Sequence, residues 1–133
     1  VLCTGNSCRS MMAQGFLKHL NPGSIVESAG THPAARINPH AVKVMAEKGI
    51  DISDEHPKTV DRFLNHEFDY VITVCDSANE TCPLYIGGTK KTHIGLDDPA
   101  KDMGSKEEIL QEFRRVCDEI KENIIAFLRE KNN

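Results

Sequence analysis

The longest regular pattern of apolar positions lies near the end of the chain. Ile109, Phe113, Val116, Ile120, Ile124 and Phe127 recur at spacings of three and four, with Glu and Lys filling the other side. That period lays one apolar stripe along a helix, and Ser105 with Glu108 forms a capping box at its start. A second helical pattern covers 38–48. Asn38 can cap it, Pro39 suits its first position and Gly49 can end it, with Ala41, Val42, Val44 and Met45 on the buried side. Ser10 to Leu20 also reads as a helix, and Thr59 can cap a shorter one through about Asn65. Strand patterns alternate with these. Asp69–Val74 is a run of apolar and β-branched residues fit for burial on both faces. Residues 25–28 read as a strand ending at Ala29-Gly30, and 90–95 as another. Val1 and Leu2 read as the end of an apolar strand; strands usually run to about five residues, so residues upstream of Val1 are expected. The alternation predicts one α/β domain over 1–133, a parallel sheet with helices on both faces.

Composition narrows the functions. A chain of 133 residues can bury a proper core. A formal charge of −4 argues against a broad nucleic-acid surface. No stretch is long and apolar enough to span a membrane, and no N-terminal segment reads as a signal peptide. Five cysteines in no closely spaced pairs argue for reduced thiols in a cytoplasmic protein, not a disulfide framework. Six scattered histidines without a Cys-x2-Cys or His-x3-His pair argue against zinc. A monomer is expected, since the pattern leaves no exposed apolar stripe.

The densest chemistry sits at Cys3-Thr4-Gly5-Asn6-Ser7-Cys8-Arg9-Ser10. A thiol and a guanidinium bracket a loop of small residues that follows a strand and opens a helix. Gly5, Asn6 and Ser7 tolerate tight and left-handed backbone. Such a loop can turn its backbone N–H groups inward as a nest for a tetrahedral oxyanion, at a helix N-terminus that also favours negative charge. Arg9 adds a planar fork suited to two oxygens. All of these favour a thiolate, so Cys3 is expected to act as a nucleophile on phosphate or a phosphate mimic. Thr4 to Ser10 are the expected oxyanion-binding residues, and the Cys8 side chain packs under the loop.

In such sheets ligands bind beyond the carboxyl ends of the strands, and both Cys3 and Cys75 follow strands. Cys82 lies seven positions after Cys75, with Asp-Ser-Ala-Asn-Glu-Thr between them. On a helix that spacing gives the same side but about two turns of separation, too far for a disulfide without backbone movement. The pair is either a redox switch whose segment unwinds, or a strand-end thiol and an incidental one. Cys117 lies beside Val116 and Ile120 and reads as core. Asp98 precedes Pro99, which restricts it to extended backbone. It is either a turn residue or a general acid held over the anion loop.

Taken together, Cys3–Ser10, Cys75 and Cys82 after Asp-Tyr-Val-Ile-Thr-Val, and Asp97-Asp98-Pro99-Ala100 occur in an order that resembles the thioredoxin-coupled arsenate reductases. These are built on the low-molecular-weight tyrosine phosphatase fold. Ser28-Ala29-Gly30, Asn38-Pro39 and Gly49-Ile50-Asp51-Ile52-Ser53 extend the resemblance over nearly the whole chain. It implies a three-layer sandwich with a parallel sheet of about four strands. It also implies that Cys3 attacks arsenate, Arg9 and the loop hold it, and Asp98 protonates the leaving oxygen. Cys75 and Cys82 then relay a disulfide to thioredoxin. Asn6 resembles the residue that holds the loop's shape, and Ser10 the hydroxyl that supports the nucleophile. No metal or organic cofactor is implied for the chemistry, and phosphate is the competing oxyanion.

There are departures. Some of these reductases bind potassium near the loop through acidic and hydroxyl residues; Gln14, His56 and Lys58 stand at those places, which argues against such a site. Residues 31–37 also differ, and the sequence assigns them no role. A low-molecular-weight tyrosine phosphatase would use Cys3, Arg9, Ser10 and Asp98 unchanged. Those enzymes usually carry Tyr where Ala100 stands, and they have no use for Cys82. A weak phosphatase side activity is expected. A phosphocarrier or a redox-sensing module would not need Asp98.

Overall fold

The computed structural model describes residues 1–63, 65–74, 87–96, 99 and 104–131, with side chains except at 87–89 and 131. Its sheet contains β1 (Leu2–Cys3), β2 (Ala29–Gly30), β3 (Glu67–Thr73) and β4 (Gly87–His93), in the order β2-β1-β3-β4. All three pairings are parallel, as the alternation of patterns predicts. Among the described residues the helices are α1 (Arg9–Leu20), α2 (Pro39–Glu47) and α3 (Lys106–Lys131), with a 3-10 turn at Val60–Phe63.

Two of the described helices, α2 and α3, start where their local chemistry directs. Asn38 accepts from His40 N at 2.8 Å, Pro39 takes the first position of α2, and Gly49 follows its end at φ +79. Ser105 and Glu108 bond reciprocally at the start of α3, at 3.4 and 3.2 Å. The α3 stripe buries Phe113, Val116, Cys117, Ile120 and Ile124 almost completely, whereas Ile109 and Phe127 only flank it and Leu110 is buried in their stead. Met11, Met12, Phe16 and Leu17 of α1 meet Val44 and Met45 of α2 in the same core. The approach is close at Gly15, where a Cβ would stand 2.7 Å from Met45 Cε and 3.0 Å from Ile52 Cγ2. Arg114 clamps Glu47 through two bonds of 3.0 Å, tying α3 to α2.

Three expectations change. Residues 25–28 are not strand; ladder pairing begins only at Ala29. Val1 N donates to Glu27 O at 2.8 Å and Ser28 is buried, but Ile25 is 92% exposed, so contact with β1 is confined to the end of that run. The segment after Thr59 is a 3-10 turn of four residues, not a longer helix. In β3 only Val71, Ile72 and Thr73 are buried on both sides; Glu67 to Tyr70 alternate because that end of the strand lies at the rim. The edge strand β4 carries Lys90 and Lys91, charges that discourage pairing with another sheet. No helix among the described residues is long and apolar enough to cross a membrane.

Candidate active site

The loop between β1 and α1 sits at the carboxyl edge of the sheet. β1 is an inner strand, paired with β2 at Leu2 and Cys3 and with β3 at Leu2. Cys3 is its last residue and is 2% exposed. Its Sγ lies 2.9 Å from Ser10 Oγ, and Asn6 N donates to it at 3.1 Å. A main-chain N–H and a hydroxyl on one sulfur are donors suited to a thiolate. Ser10 comes from the first turn of α1, so the strand end and the helix start meet at the thiol.

Asn6 is the keystone of the loop. It has φ +49 and no exposure, a left-handed conformation that Asn tolerates better than most side chains. Its Nδ2 donates to Ser10 Oγ at 2.8 Å and to Ser28 Oγ at 3.0 Å, and its Oδ1 accepts from Lys58 N at 2.8 Å. Gly5, also expected to supply left-handed backbone, has no positive φ. α1 begins after Cys8 with no side chain capping it and no acidic residue in its first turn. Its N-terminal N–H groups and dipole therefore face the loop with no carboxylate of their own first turn in competition. Cys8 itself is buried in the core. Arg9 Nη1 donates to Leu96 O at 3.1 Å, which fastens the guanidinium to the segment that leads into Asp97 and Asp98.

Cys3, Ser10 and Asn6 thus converge with Arg9 beside them in the chain. Cys75, Cys82, Asp98 and Ala100 lie outside the described residues. Val74, immediately before Cys75, donates its N–H to Leu2 O at 2.9 Å. Sequence reasoning missed four participants: Ser28, the main chain of Lys58, Gly30, and the segment 31–37, of which 32–36 are exposed. Only the Ser28-Ala29-Gly30 string pointed toward them, and the bonds of the others are main-chain bonds that no residue type announces.

The expectation against a potassium site concerns Gln14, His56 and Lys58. Gln14 is 1% exposed and offers a neutral Oε1 that has no hydrogen-bond partner. Beside it Glu55 is held by Lys18 Nζ at 3.2 Å. Burial pushes the Glu55 carboxyl up, but hydrogen bonds from Gln14 and Lys18 and the charges of Lys18 and Lys58 outweigh it and hold it below 4.5. Lys18 pairs with that carboxylate directly, and the charge of Lys58 acts on it as well. Among the described residues no cluster of His, Cys, Asp and Glu is arranged to hold a metal. Cys117 is a core thiol: burial pushes it up to about 11, and its Sγ meets Met45 Sδ at 3.8 Å. A groove of about 710 Å³ lined by Val1, Ile25, Phe68, Tyr70 and Phe127 lies at the other end of the strands.

Comparison with known proteins gives the family and the fold. An arsenate reductase from Shouchella clausii is 50% identical over 127 residues, covering 95% of this chain and 91% of that protein. Arsenate reductases from Bacillus licheniformis and Bacillus subtilis are 49% and 44% identical over the same length. A solved arsenate reductase in a phosphate-binding state superposes with a TM-score of 0.82 at 32% identity, covering 97% of this chain and 94% of that one. A protein tyrosine phosphatase superposes with a TM-score of 0.81 at 20% identity, over 98% and 92% of the two chains, and shares the fold. These likenesses bear out the α/β three-layer sandwich. The family described as low molecular weight phosphotyrosine protein phosphatase matches residues 1–133 throughout, and this chain belongs to it.

Proposed function

We propose that this chain is an arsenate reductase that works through three thiols. The observation that carries the reading is Cys3 at a strand end, bonded by Asn6 N and Ser10 Oγ inside an oxyanion loop, in a chain that also has Cys75 and Cys82. Relatives at 44–50% identity that are arsenate reductases support it. So does the bond from Val74 N to Leu2 O, which joins the residue before Cys75 to the residue before Cys3.

The steps balance as follows. Arsenate enters the loop, held by its N–H groups and by Arg9. The Cys3 thiolate forms a bond to arsenic, and one arsenate oxygen leaves as water after taking a proton from Asp98. The Cys75 thiolate then attacks Cys3 Sγ. The sulfur–arsenic bond breaks with its electron pair on arsenic, so arsenic(V) becomes arsenic(III), arsenite departs, and a Cys3–Cys75 disulfide remains. Cys82 attacks Cys75 and frees the Cys3 thiolate. A dithiol protein of the thioredoxin type reduces the Cys75–Cys82 disulfide. The first step needs nothing that phosphate esters lack, so slow hydrolysis of aryl phosphates accompanies the main reaction. The test is NADPH oxidation in the presence of thioredoxin and thioredoxin reductase. Oxidation that depends on arsenate supports the reading; a rate unaltered by arsenate overturns it.

A further inference from the structure

The segment to which the sequence assigns no role runs along the outer side of the anion loop. His32 N donates to Thr4 O at 2.9 Å, Ala34 N to Gly5 O at 2.8 Å, and Asn38 N to Ser7 O at 2.9 Å. In a trans peptide the carbonyl of one residue and the N–H of the next point opposite ways. Carbonyls of Thr4, Gly5 and Ser7 drawn outward therefore turn the N–H groups of Gly5, Asn6 and Cys8 to the inner side. The bond from Asn6 N to Cys3 Sγ follows from that arrangement. The donors that define the site are set from outside, by a segment whose residues 32–36 are exposed.

Gly30 is where this segment is fixed. A Cβ there would stand 2.5 Å from Thr4 O, 3.0 Å from Asn6 N and 3.0 Å from Asn6 Cβ. The first distance is shorter than any side chain allows against main chain. The strand cannot retreat to make room, because Gly30 N donates to Lys58 O at 2.8 Å on its other side, and Gly30 also bridges Thr59. The same Lys58 holds Asn6 Oδ1 through its N–H. A methyl group at 30 would thus displace the Thr4–Asn6 peptides, the ones that aim Asn6 N at the sulfur.

We propose that Gly30 is a positioning residue for the nucleophile, and that the Gly30–Asn38 segment is the brace that keeps the loop's N–H groups turned toward the oxyanion. It rests on the reading of Cys3 as the nucleophile and deepens it. The residue touches neither substrate nor sulfur; it acts through Asn6 N.

The test uses inorganic phosphate and a thiol alkylating agent, with the Gly30→Ala variant of the full chain. Phosphate affinity is read by its protection of Cys3 against alkylation, and the alkylation rate is followed across pH. Phosphate binding is expected to weaken about tenfold, the loss of one charge-assisted hydrogen bond. Alkylation of Cys3 is expected to slow at neutral pH and to match the wild type at alkaline pH, since one donor to the thiolate is displaced. A folded Gly30→Ala protein with wild-type phosphate affinity and an unaltered pH profile overturns the proposal. Ala34→Pro, which removes the donor to Gly5 O at an exposed position, decides the matter if Gly30→Ala does not fold. It is expected to weaken phosphate by a similar factor, and unchanged affinity counts against the brace. Neither readout involves arsenate reduction, so a chain that binds phosphate in this way but leaves arsenate unreduced would sink the proposed function and not this inference.

Discussion

Replacing Asn6 by Ala removes the side chain that joins four segments of the site. Three hydrogen bonds disappear: to Ser10, to Ser28 and from Lys58 N. At a net worth of roughly 0.5–1.5 kcal/mol each, they amount to about 3 kcal/mol. Ala also fits poorly at φ +49, adding roughly 1 kcal/mol for an ordinary side chain in left-handed backbone. The total of about 4 kcal/mol is a large share of a typical domain's stability. It corresponds to a fall in Tm of roughly 12 °C for a chain of this size. Asn6→Gly separates the two contributions, because Gly carries no penalty at that φ and should be more stable than Asn6→Ala by about 1 kcal/mol. Urea unfolding of the three proteins, followed by circular dichroism, provides the measurement. If Asn6→Ala lies within about 1 kcal/mol of the wild type, the loop does not depend on this side chain and the reasoning fails.

Three further outcomes follow from the same geometry. Glu55 is held below its ordinary value in the folded protein, so its ionised form contributes stability that is present above 4.5 and is lost as pH falls through the lowered folded value. The stability gap between wild type and Glu55→Gln, read by urea unfolding at several pH values, should be open at neutral pH and close in acid; a gap that widens in acid would contradict the sign. Cys117, raised to about 11 by burial, should resist iodoacetamide at neutral pH under conditions that label Cys3, and react only on unfolding; mass spectrometry of the labelled peptides decides it. Exchanging sodium for potassium at constant ionic strength should leave both Tm and arsenate KM unaltered, because Lys18 and Lys58 already supply positive charge at Glu55; a potassium-specific rise in Tm would show that the position still takes a cation.

The sequence disclosed those parts of the molecule whose cause is local. The caps of α2 and α3, the apolar stripe of α3 and the order of strands and helices each depend on residue type at a fixed spacing, and the structure has them. The same holds for the loop that begins at Cys3, whose small residues and following helix are visible in eight consecutive positions. Contacts between distant segments were not legible. That Asn6 would reach Ser28 and Lys58 N, 22 and 52 positions away, depends on how β2 and the turn before Val60 are folded against the loop. The bonds from residues 32, 34 and 38 use main-chain N–H groups, which every residue but proline has. The strand expected at 25–28 failed for a related reason: its composition suits a strand, but a single bond from Val1 N to Glu27 O precedes the ladder, which begins at Ala29. Gly30 shows the limit most clearly, since its lack of a side chain matters only because Thr4 O stands where a Cβ would be.

The measurement that tests the central claim most directly is the arsenite yield of Cys82→Ser against the wild type, with thioredoxin, thioredoxin reductase and NADPH present. The three-thiol relay predicts sustained turnover in the wild type. In the variant it predicts about one arsenite per enzyme and then a halt, with Cys3 and Cys75 joined in a disulfide that the donor does not resolve. Absence of arsenite from either protein, together with brisk hydrolysis of an aryl phosphate that ignores the Cys82 change, would contradict it and leave a phosphatase with incidental cysteines.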